Sequence, residues 1–550
     1  AEIIKLINLN MYDNNQNNEE VIILDNSIKN LNELRYYEMK TYESKDFTFY
    51  VDIKKNIRKK IAYVFFLKVF IIVLSIIITK YFSAELNTLL FPIEGILKKL
   101  KLMKTNPTLA LEMQEELLNH ELNTMLASAN LKKYSIKEDF EILKMEENLM
   151  KLGTLMLLGF GEAGAKMISK NINEEERINL LVNGEIVYSV FSFCDIRNFT
   201  EITEMLKEKI MIFINLVAEI IHECCDFYGG SVNKNIGDAF LLVWKYDKKY
   251  VPHTNYNYSK QGGGINDYNI YDDSSDKENI KRICDSAFVS TVRTLIKLQQ
   301  SEKIHLFLQN ENMGQLINKN VIELSFGLHF GWAIEGAIGS TYKIDLSYLS
   351  ENVNIASRLQ DISKIYKNNI VISDDFYNNL SDNFKRELRK IDRVTLKGCK
   401  NPLILYTFDM KLNEIQVKKN LDKSDTFHFP LKKSKKLTKI LDDIRIKTER
   451  KRRKRELSNF TYDLYKEFAT SKEIQSIKVG YAAEYLELFQ NALELYLNGN
   501  WNDSKKLLEY LRTNFNIEDH IVYQLLNFMN MTNFITPYDW CGYRKFLQKS

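Results

Sequence analysis

The first strong feature of the hydrophobic pattern is an apolar run close to the start of the chain. Residues 61–79 have the sequence IAYVFFLKVFIIVLSIIIT, in which Lys68 is the only charged side chain. A membrane-spanning helix needs about 20 apolar residues, and a lysine within it can face a protein partner or extend to the interface. The pattern therefore predicts a transmembrane helix over 61–82, with a buried helix of a soluble domain as the alternative.

Polar sequence lies on both sides of this run. Residues 1–60 are a polar lead-in. Residues 83–180 are rich in Leu, Glu, Lys and Met and predict a helical linker, with breaks at Pro92 and Pro107. Lysine and arginine are more frequent before the run than after it, so the positive-inside rule alone would place the lead-in in the cytosol. The chemistry inferred below requires the later residues to be cytosolic instead, and additional upstream spans would reconcile the two.

Strand-like and helical periods alternate from residue 185 to 410, which is typical of an α/β domain. VYSVFSFCDI (187–196) has the composition of a strand, and residues 200–229 repeat apolar positions at helical spacing. SVNKNIGDAFLLVW (231–244) predicts a hairpin with its Gly-Asp pair at the turn. Further strands and helices follow in the same alternation, so we expect one domain over 185–410.

Three segments differ in composition from this domain. Residues 246–280 are rich in Tyr, Asn, Asp and Gly and predict a low-complexity surface insertion. Residues 411–458 are a basic linker that ends in RKRRKR (450–455); such a run is usually a solvated helix face, and contact with anionic lipid is the alternative. Residues 459–550 predict an α-helical tail, in which the pattern from residue 480 onward resembles a single tetratricopeptide-type (TPR-like) hairpin.

Composition narrows the class of protein. A chain of 550 residues exceeds one compact core, and 45% hydrophobic with 27% charged residues is ordinary for a globular protein. The formal net charge of +4 is nearly neutral at this length, so we expect no nucleic-acid partner. The six cysteines show no CxxC spacing, which suits reduced thiols in the cytosol. Because the chain begins with Ala1, we expect it to be a piece of something longer.

Two aspartates stand where predicted strands end. Asp195 in FCDIRNFT closes a strand before a helix, and Asp238 in NIGDAF lies at the tip of the hairpin. If the two strands are neighbours, both carboxylates converge at one sheet edge, where they suit Mg²⁺ or Mn²⁺ that arrives with a triphosphate. The helix that begins near Asn198 would direct free backbone N–H groups at phosphate oxygens. The alternative for each aspartate is a cap or turn residue.

A second group of polar residues lies in NVNIASR. Asn354 and Arg358 are four residues apart, so they share one helix face. A guanidinium suits the charge of a phosphoryl transition state, and an amide could orient a sugar. A surface ion pair is the alternative for Arg358.

Five motifs now stand in order along the chain: FCDIRNFT, NKNIGDAF, FGLHFGWAIEGAIG, VNIASR and LKGC. Their order and spacing resemble the class III nucleotidyl cyclase catalytic domain over roughly residues 185–410. With PIEGIL, GFGEAGA and KIDLSYLSENVN, the chain is also similar to the membrane adenylyl cyclases of protists, among them the malaria-parasite alpha type. The resemblance implies a ferredoxin-like α/β domain that works as a head-to-tail dimer, with the active site at the interface.

The resemblance also implies which residues would bind metal ions and the substrate phosphates. The ions would be Mg²⁺ or Mn²⁺, two in each active site. The metal-binding positions would be Asp195, Ile196 and Asp238, and the phosphate-binding positions would be Phe199, Thr200 and Lys397, with Lys400 as the alternative to Lys397.

Base recognition falls on Lys234 and Ser347 by the same resemblance. Adenine presents an acceptor at N1 and a donor at N6, so a lysine donor beside a hydroxyl acceptor fits it, whereas guanine would need a carboxylate in place of Lys234. A mispaired buried donor costs about 1–3 kcal/mol, which favours ATP by about ten- to a hundredfold. Many family members carry Asp or Thr at the position of Ser347, and the nearby Asp345 could take its place if the loop shifts register.

The sequence therefore predicts an integral-membrane adenylyl cyclase with a cytosolic catalytic domain. It would convert ATP to 3′,5′-cyclic AMP and pyrophosphate by a two-metal mechanism in a homodimer that builds two complete sites. The alternatives are a guanylyl cyclase, or a catalytically silent cyclase fold that serves as a dimerisation or sensor module. One copy would supply Asp195 and Asp238, and the second copy would supply Lys234, Ser347, Asn354 and Arg358.

Overall fold

The structure is a computed structural model, and it consists of two compact units, Ala1–Lys99 and Leu100–Ser550. Three predicted features lie mostly outside the residues that the structure describes: the insertion over 246–280, the middle of the helical linker over 83–180 and most of the basic linker over 411–458. From Ser274 onward the insertion is helical. Lys400 also lies outside the described residues. The structure describes residues 35–43, 48–105, 144–145, 148–155, 159, 183–246, 274–310, 322–340, 343–397, 399, 401–412, 415, 445, 448–453, 455–457, 459, 461–515 and 517–546.

The first unit contains a hairpin and most of a long helix. Strand β1 (Met39–Glu43) pairs antiparallel with β2 (Thr48–Asp52), and helix α1 spans Lys54–Thr105. Within α1, Lys54–Leu86 is the single segment of the described chain that is long and apolar enough to cross a membrane. Its polar groups are partly satisfied internally, since the Thr79 hydroxyl donates to the carbonyl four residues earlier at 2.8 Å.

The linker prediction needs one correction. The sequence predicts a helix break at Pro92, but α1 continues through Pro92, and the predicted break at Pro107 lies outside the described residues. A proline removes one backbone N–H and can bend a helix whose neighbouring turns continue. The predicted membrane segment and the start of the predicted linker are therefore one continuous helix.

The second unit is built on a mixed sheet, nine-stranded in the described residues, in the order β11-β9-β10-β8-β6-β3-β5-β4 with β7 paired to β6. The predicted hairpin over 231–244 is confirmed, and Gly237 adopts a left-handed φ of 66° at its turn. The strands are β3 (Glu185–Ile196), β4 (Ser231–Ile236), β5 (Ala239–Lys245), β6 (Leu324–Ser340), β7 (Lys343–Leu349), β8 (Ile370–Ser373), β9 (Arg389–Leu396), β10 (Leu403–Thr407) and β11 (Arg544–Phe546).

Helices cover both faces of this sheet. The alternation along β3 sends Val190 to a core shared with α3 (Ile210–Phe227) and α4 (Ser274–Gln300), and it sends Phe191 to the opposite face, where α6 (Glu351–Tyr366) packs. The helices are α2 (Phe199–Leu206), α3 (Ile210–Phe227), α4 (Ser274–Gln300), α5 (Glu302–Asn310), α6 (Glu351–Tyr366), α7 (Asp374–Asn378), α8 (Asp382–Lys385), α9 (Leu464–Thr470), α10 (Lys472–Ile477), α11 (Ala483–Leu497), α12 (Trp501–Asn514) and α13 (His520–Asn530).

Helix α6 lies very close to strand β6 at Gly327. A Cβ atom at this position would be 2.2 Å from the backbone nitrogen of Gln360 and 2.3 Å from the carbonyl oxygen of Ala356. Such distances leave no room for any side chain, so glycine allows the two backbones to touch. This contact fixes the depth and rotation of the helix that carries Asn354 and Arg358.

The helical tail packs on the same sheet. Strand β11 pairs parallel with β9, and the two helices of the predicted hairpin, α11 and α12, are present. Leu359 and Tyr366 of α6 share one hydrophobic core with Phe489 and Trp501 of the tail. The helical tail therefore shares the core of the second unit, while the TPR-like assignment of the hairpin stays a prediction.

Two arginines of the basic run contact the folded domain. Arg450 forms an ion pair with Asp226 at the end of α3. Arg453 is buried, donates to Glu467 at 3.1 Å and lies 3.2 Å above the ring of Tyr462. For Arg453 these contacts correct the prediction of a solvated or lipid-facing run, because a buried guanidinium that is paired and stacked is committed to the protein interior, whereas Arg450 is paired but 43% exposed.

Candidate active site

The two predicted metal-binding aspartates lie side by side. Asp195 stands opposite Ala239 in the β3–β5 pair, so Asp238, one residue earlier, is its neighbour across the hairpin turn. The two carboxyl groups are within hydrogen-bonding reach of each other, and burial, followed by this contact and the charge of Asp195, raises the pKa of Asp238 to about 6. Two carboxylates this close repel each other when both are ionised, so a cation between them would be stabilised.

Helix α6 supplies two further groups to this pair. The side-chain amide of Gln360 donates to Oδ2 of Asp195 at 3.1 Å, and the Lys364 ammonium forms an ion pair with the same oxygen. Sequence reasoning missed both residues. Their i, i+4 spacing shows that they share a helix face, but no local pattern indicates which carboxylate that face meets.

The backbone next to Asp195 is arranged as an open helix N-terminus. Ile196 has a buried side chain, which leaves its backbone carbonyl as the group that could contact a metal. Asn198 adopts a left-handed φ of 55° and its side chain forms no capping hydrogen bond with α2. Phe199 is partly buried, and Thr200 is exposed in the first turn. N–H groups at such a terminus suit phosphate oxygens.

Arg197 holds this corner in place and was not identified from the sequence. Its guanidinium donates to Ser325 Oγ at 2.8 Å and forms an ion pair with Glu323 at 2.7 Å. It also donates to the carbonyl of Asn368 at 2.6 Å, just beyond the end of α6. The end of β3, the start of β6 and the end of α6 are thereby tied together around Asp195.

The predicted base-recognition residues also meet. The Lys234 ammonium on β4 donates to the Ser347 hydroxyl on β7 at 3.0 Å. It also forms an ion pair with Asp345 at 2.7 Å. The sequence treats Asp345 as a substitute for Ser347, whereas the structure brings both to the lysine at the same time, because alternate residues of a strand point to one face.

Asn354 and Arg358 lie apart from the aspartates of their own chain. Asn354 is exposed, and Arg358 is half-buried with Asp361 at 3.8 Å as its ion-pair partner among the described residues. An α-helix rises 1.5 Å per residue, so Asn354 lies about 15 Å along α6 from Lys364, which contacts Asp195. Asn354 and Lys364 therefore lie near opposite ends of α6, and of these two residues Lys364 is the one that contacts Asp195. Lys397 is exposed in the turn after β9, away from any of these contacts in the described residues.

A buried polar network sets the first turn of α6. His329 is hydrogen-bonded through Nε2 to the Asn352 side chain at 3.0 Å and through Nδ1 to the Ser373 hydroxyl at 2.8 Å. The Asn352 amide donates to the carbonyl of Trp332 at 2.8 Å, and its backbone N–H is capped by Ser350. Burial lowers the pKa of His329 to about 4, so the ring is neutral at physiological pH and bridges donor and acceptor.

The aspartate pair fits a hard divalent cation. Its donors are carboxylate oxygens and a backbone carbonyl, which Mg²⁺ and Mn²⁺ prefer. Among the described residues there is no group of three or more His, Cys, Asp or Glu side chains that could enclose a metal. A pair of carboxylates leaves coordination positions open for water and phosphate oxygens, which is the arrangement that Mg²⁺ adopts with nucleotide substrates.

Family models match two parts of the chain. The adenylate and guanylate cyclase catalytic domain matches residues 188–410, and the RasGEFs all-helical domain matches residues 53–173. An adenylate cyclase of Anabaena cylindrica is 24% identical over 216 residues, which is 39% of this chain and 35% of the relative. The terminal-differentiation-specific adenylate cyclase of Dictyostelium discoideum is 22% identical over 216 residues, 39% of this chain and 8% of the relative. The chain thus spans about a third or less of these curated relatives.

Solved structures with low similarity to this chain include three nucleotide cyclases. A bacterial light-regulated adenylyl cyclase has 18% identity and a TM-score of 0.35, with 51% of this chain and 67% of that chain covered. The adenylyl cyclase CyaB from P. aeruginosa has 21% identity and a TM-score of 0.29, with 41% and 95% covered. The guanylyl cyclase Cya2 has 16% identity and a TM-score of 0.28, with 44% and 98% covered. Over residues 188–410 the chain is therefore similar to adenylate and guanylate cyclases.

Proposed function

We propose that the chain is an adenylyl cyclase that converts ATP to 3′,5′-cyclic AMP and pyrophosphate. The observation that carries the proposal is the meeting of Asp195 and Asp238 at one edge of the sheet inside the matched cyclase domain. A catalytically silent cyclase fold has no need to keep two mutually repelling carboxylates in contact. The resemblance to protist membrane adenylyl cyclases, including the malaria-parasite alpha type, agrees with this proposal.

In the proposed mechanism each side chain has one role. Asp195, Asp238 and the carbonyl of Ile196 would hold two Mg²⁺ or Mn²⁺, which supply activation of the ribose 3′-hydroxyl and neutralise phosphate charge. The N–H groups of Phe199 and Thr200 bind phosphate oxygens, and Lys397 adds a positive charge. Asn354 orients the ribose, and Arg358 balances the charge that develops in the transition state.

We propose that the active enzyme is a head-to-tail homodimer. Along α6, Asn354 lies about 15 Å and Arg358 about 9 Å from Lys364, which contacts Asp195, and we infer that both residues serve the aspartate pair of a second copy. Trp332, Ile338 and Leu349 are 45%, 44% and 55% exposed on β6 and β7, next to the Lys234–Ser347 pair. Exposed apolar side chains beside an incomplete site favour a second copy as the partner that completes it.

We also propose that the chain is an integral membrane protein whose cyclase domain is cytosolic. Along Lys54–Leu86 the large apolar side chains are uncovered, with Phe66 71% and Ile72 58% exposed. An exposed apolar surface of this extent requires an apolar surrounding, and lipid supplies it. The cytosolic location of the domain follows from its substrate, which is a cytosolic nucleotide.

The test of the proposed function uses the full chain in detergent or membranes, with Mn²⁺ and either ATP or GTP. We expect cyclic AMP from ATP, and activity that requires the dimer. Cyclic GMP as the main product would favour the guanylyl alternative, which has one observation in its support, since the Asp345 carboxylate near Lys234 could accept a hydrogen bond from guanine N1–H. No product from a verified dimer would support the catalytically silent alternative.

Lys234→Met is expected to lower kcat/KM for ATP about 10- to 100-fold, because a lost donor to the base costs about 1–3 kcal/mol. The rate with GTP should change much less, since guanine offers a donor at N1 where adenine offers an acceptor. The matched control is Lys303→Met, whose lysine is 65% exposed and pairs with Glu219 at 3.6 Å. Initial rates with both nucleotides are the measurement, and an equal loss for ATP and GTP would exclude base recognition by Lys234.

A further inference from the structure

Lys364 lies at the centre of the metal site without a role in the mechanism above. Its ammonium forms an ion pair with Oδ2 of Asp195, the carboxylate oxygen that also accepts a hydrogen bond from Gln360. A divalent cation bound by Asp195 needs lone pairs of the same carboxylate. An ammonium and a metal ion at one oxygen repel each other, so the two cations compete for Asp195.

Lys364 and Gln360 differ in their freedom to move. Gln360 is 5% exposed, and its backbone nitrogen is pressed against β6 at Gly327. The side chain of Lys364 is 44% exposed, whereas that of Asp195 is 9% exposed. A lysine on a flexible four-carbon stem with an exposed end can turn to solvent at low cost, whereas a buried amide packed between helix and sheet cannot.

Before a metal binds, the Lys364 ammonium stabilises the buried, negatively charged carboxylate of Asp195. Asp195 is buried beside Asp238, and a buried carboxylate needs a positive partner or several hydrogen-bond donors. Lys364 of α6 provides that charge, and the charge also acts on Asp238. A bound divalent cation carries twice the charge of the ammonium, so Asp195 then no longer needs Lys364 as its counter-ion.

We propose that Lys364 is a resident counter-ion that neutralises Asp195 in the metal-free enzyme and leaves when the divalent cation enters, and that it thereby sets the metal affinity. Gln360 keeps the carboxylate aimed at Asp238 in both states. Lys364 is a positioning residue, since it acts through Asp195. The proposal rests on the proposed metal-binding role of Asp195 and Asp238.

The test measures binding of Mn²⁺ alone to the full chain, without nucleotide, by the electron paramagnetic resonance signal of free Mn²⁺. Lys364→Met is expected to bind Mn²⁺ about three- to tenfold more tightly than the wild type, because a competing ion pair of modest strength has been removed. Lys364→Arg keeps the charge and should bind as the wild type does. The matched control Lys466→Met removes an exposed lysine far from the site and should also leave binding unchanged.

The remaining outcomes separate this proposal from the proposed function. Asp195→Asn should abolish the binding, and wild-type-like binding by this variant would overturn both. If Asp195→Asn loses the metal while Lys364→Met binds it as the wild type does or more weakly, the counter-ion role alone is overturned. Thermal unfolding of Lys364→Met is measured beside its Mn²⁺ affinity. If the side chain had only a structural role, the melting temperature of this variant would change while its Mn²⁺ affinity would not increase.

Discussion

Asp238→Asn is expected to lower cyclic AMP formation about 10³-fold. The amide lacks the negative charge that holds a divalent cation, and such a cation supplies several kcal/mol of transition-state stabilisation, where each 1.4 kcal/mol corresponds to about tenfold in rate. The measurement is the initial rate with ATP and Mn²⁺ at concentrations that saturate the wild type. A rate within about tenfold of the wild type would contradict the assignment of Asp238 to the metal.

The same variant should fold at least as well as the wild type. The pKa of Asp238 is raised to about 6 by burial and then by Asp195, above the unfolded value of 3.8. An acid whose pKa is higher in the folded state destabilises that state at pH values above 6, and this loss is relieved as the pH falls through 6. Replacement by a neutral amide removes the penalty at pH 7, so the free energy of unfolding should not decrease. The matched control is Asp382→Asn, whose carboxylate is 78% exposed and which should retain both activity and stability.

The sequence identifies residues of the candidate site better than it identifies the residues that contact them in the fold. Asp195 and Asp238 stand at recognisable strand ends, but that their strands β3 and β5 are neighbours is only a condition at the sequence level, which the structure meets. The register that sets Asp195 opposite Ala239 is a tertiary property, because a shift of two residues would preserve the same alternation and separate the carboxylates. Lys234 and Ser347 illustrate the same point, since the pattern places Lys234 in the hairpin and the resemblance indicates Ser347, but only the fold sets them 3.0 Å apart on β4 and β7.

Long-range contacts account for what the sequence could not provide. Lys364 and Gln360 share a predictable helix face, but their contact with Asp195 spans more than 160 residues of chain. Strand β11 has three residues, too few for a period, and it is defined by its pairing with β9. The path of α1 through Pro92 is a further case, since a local helix breaker is overridden when the turns on both sides continue.

The tail belongs to the same unit as the sheet because it packs against the side of α6 that faces away from β6. Leu359 and Ile362 of this helix pack in one core with Phe489, Trp501 and other tail residues, while the opposite side of the helix touches β6. Asn354 and Arg358 depend on the orientation of α6. A substitution that weakens the packing of the tail on α6 should therefore change the orientation of Asn354 and Arg358, although the tail itself does not contact substrate in the proposed mechanism.

The connection between tail and sheet centres on a buried arginine. Arg389 on β9 makes a two-point ion pair with Asp409 at 2.8 Å and a second pair with Asp519 at 2.6 Å, ahead of α13. Its guanidinium also lies 4.8 Å from the ring of Tyr481 and 4.6 Å from that of Phe489. Burial raises the pKa of Asp409 although Arg389 opposes this shift, whereas for Asp519 the guanidinium outweighs burial and the pKa is lowered.

Arg389→Met is expected to lower the free energy of unfolding by about 3–5 kcal/mol, because it leaves two buried carboxylates without their cation. The melting temperature should fall by about 10 °C. Thermal unfolding of the full chain, followed by tryptophan fluorescence, measures the change, since Trp501 and Trp540 lie in the tail. The matched control Arg452→Met removes a 63% exposed arginine that pairs with Glu449 at 2.6 Å and should change stability by less than about 0.5 kcal/mol. Equal melting temperatures for the two variants would show that the tail is not anchored through Arg389.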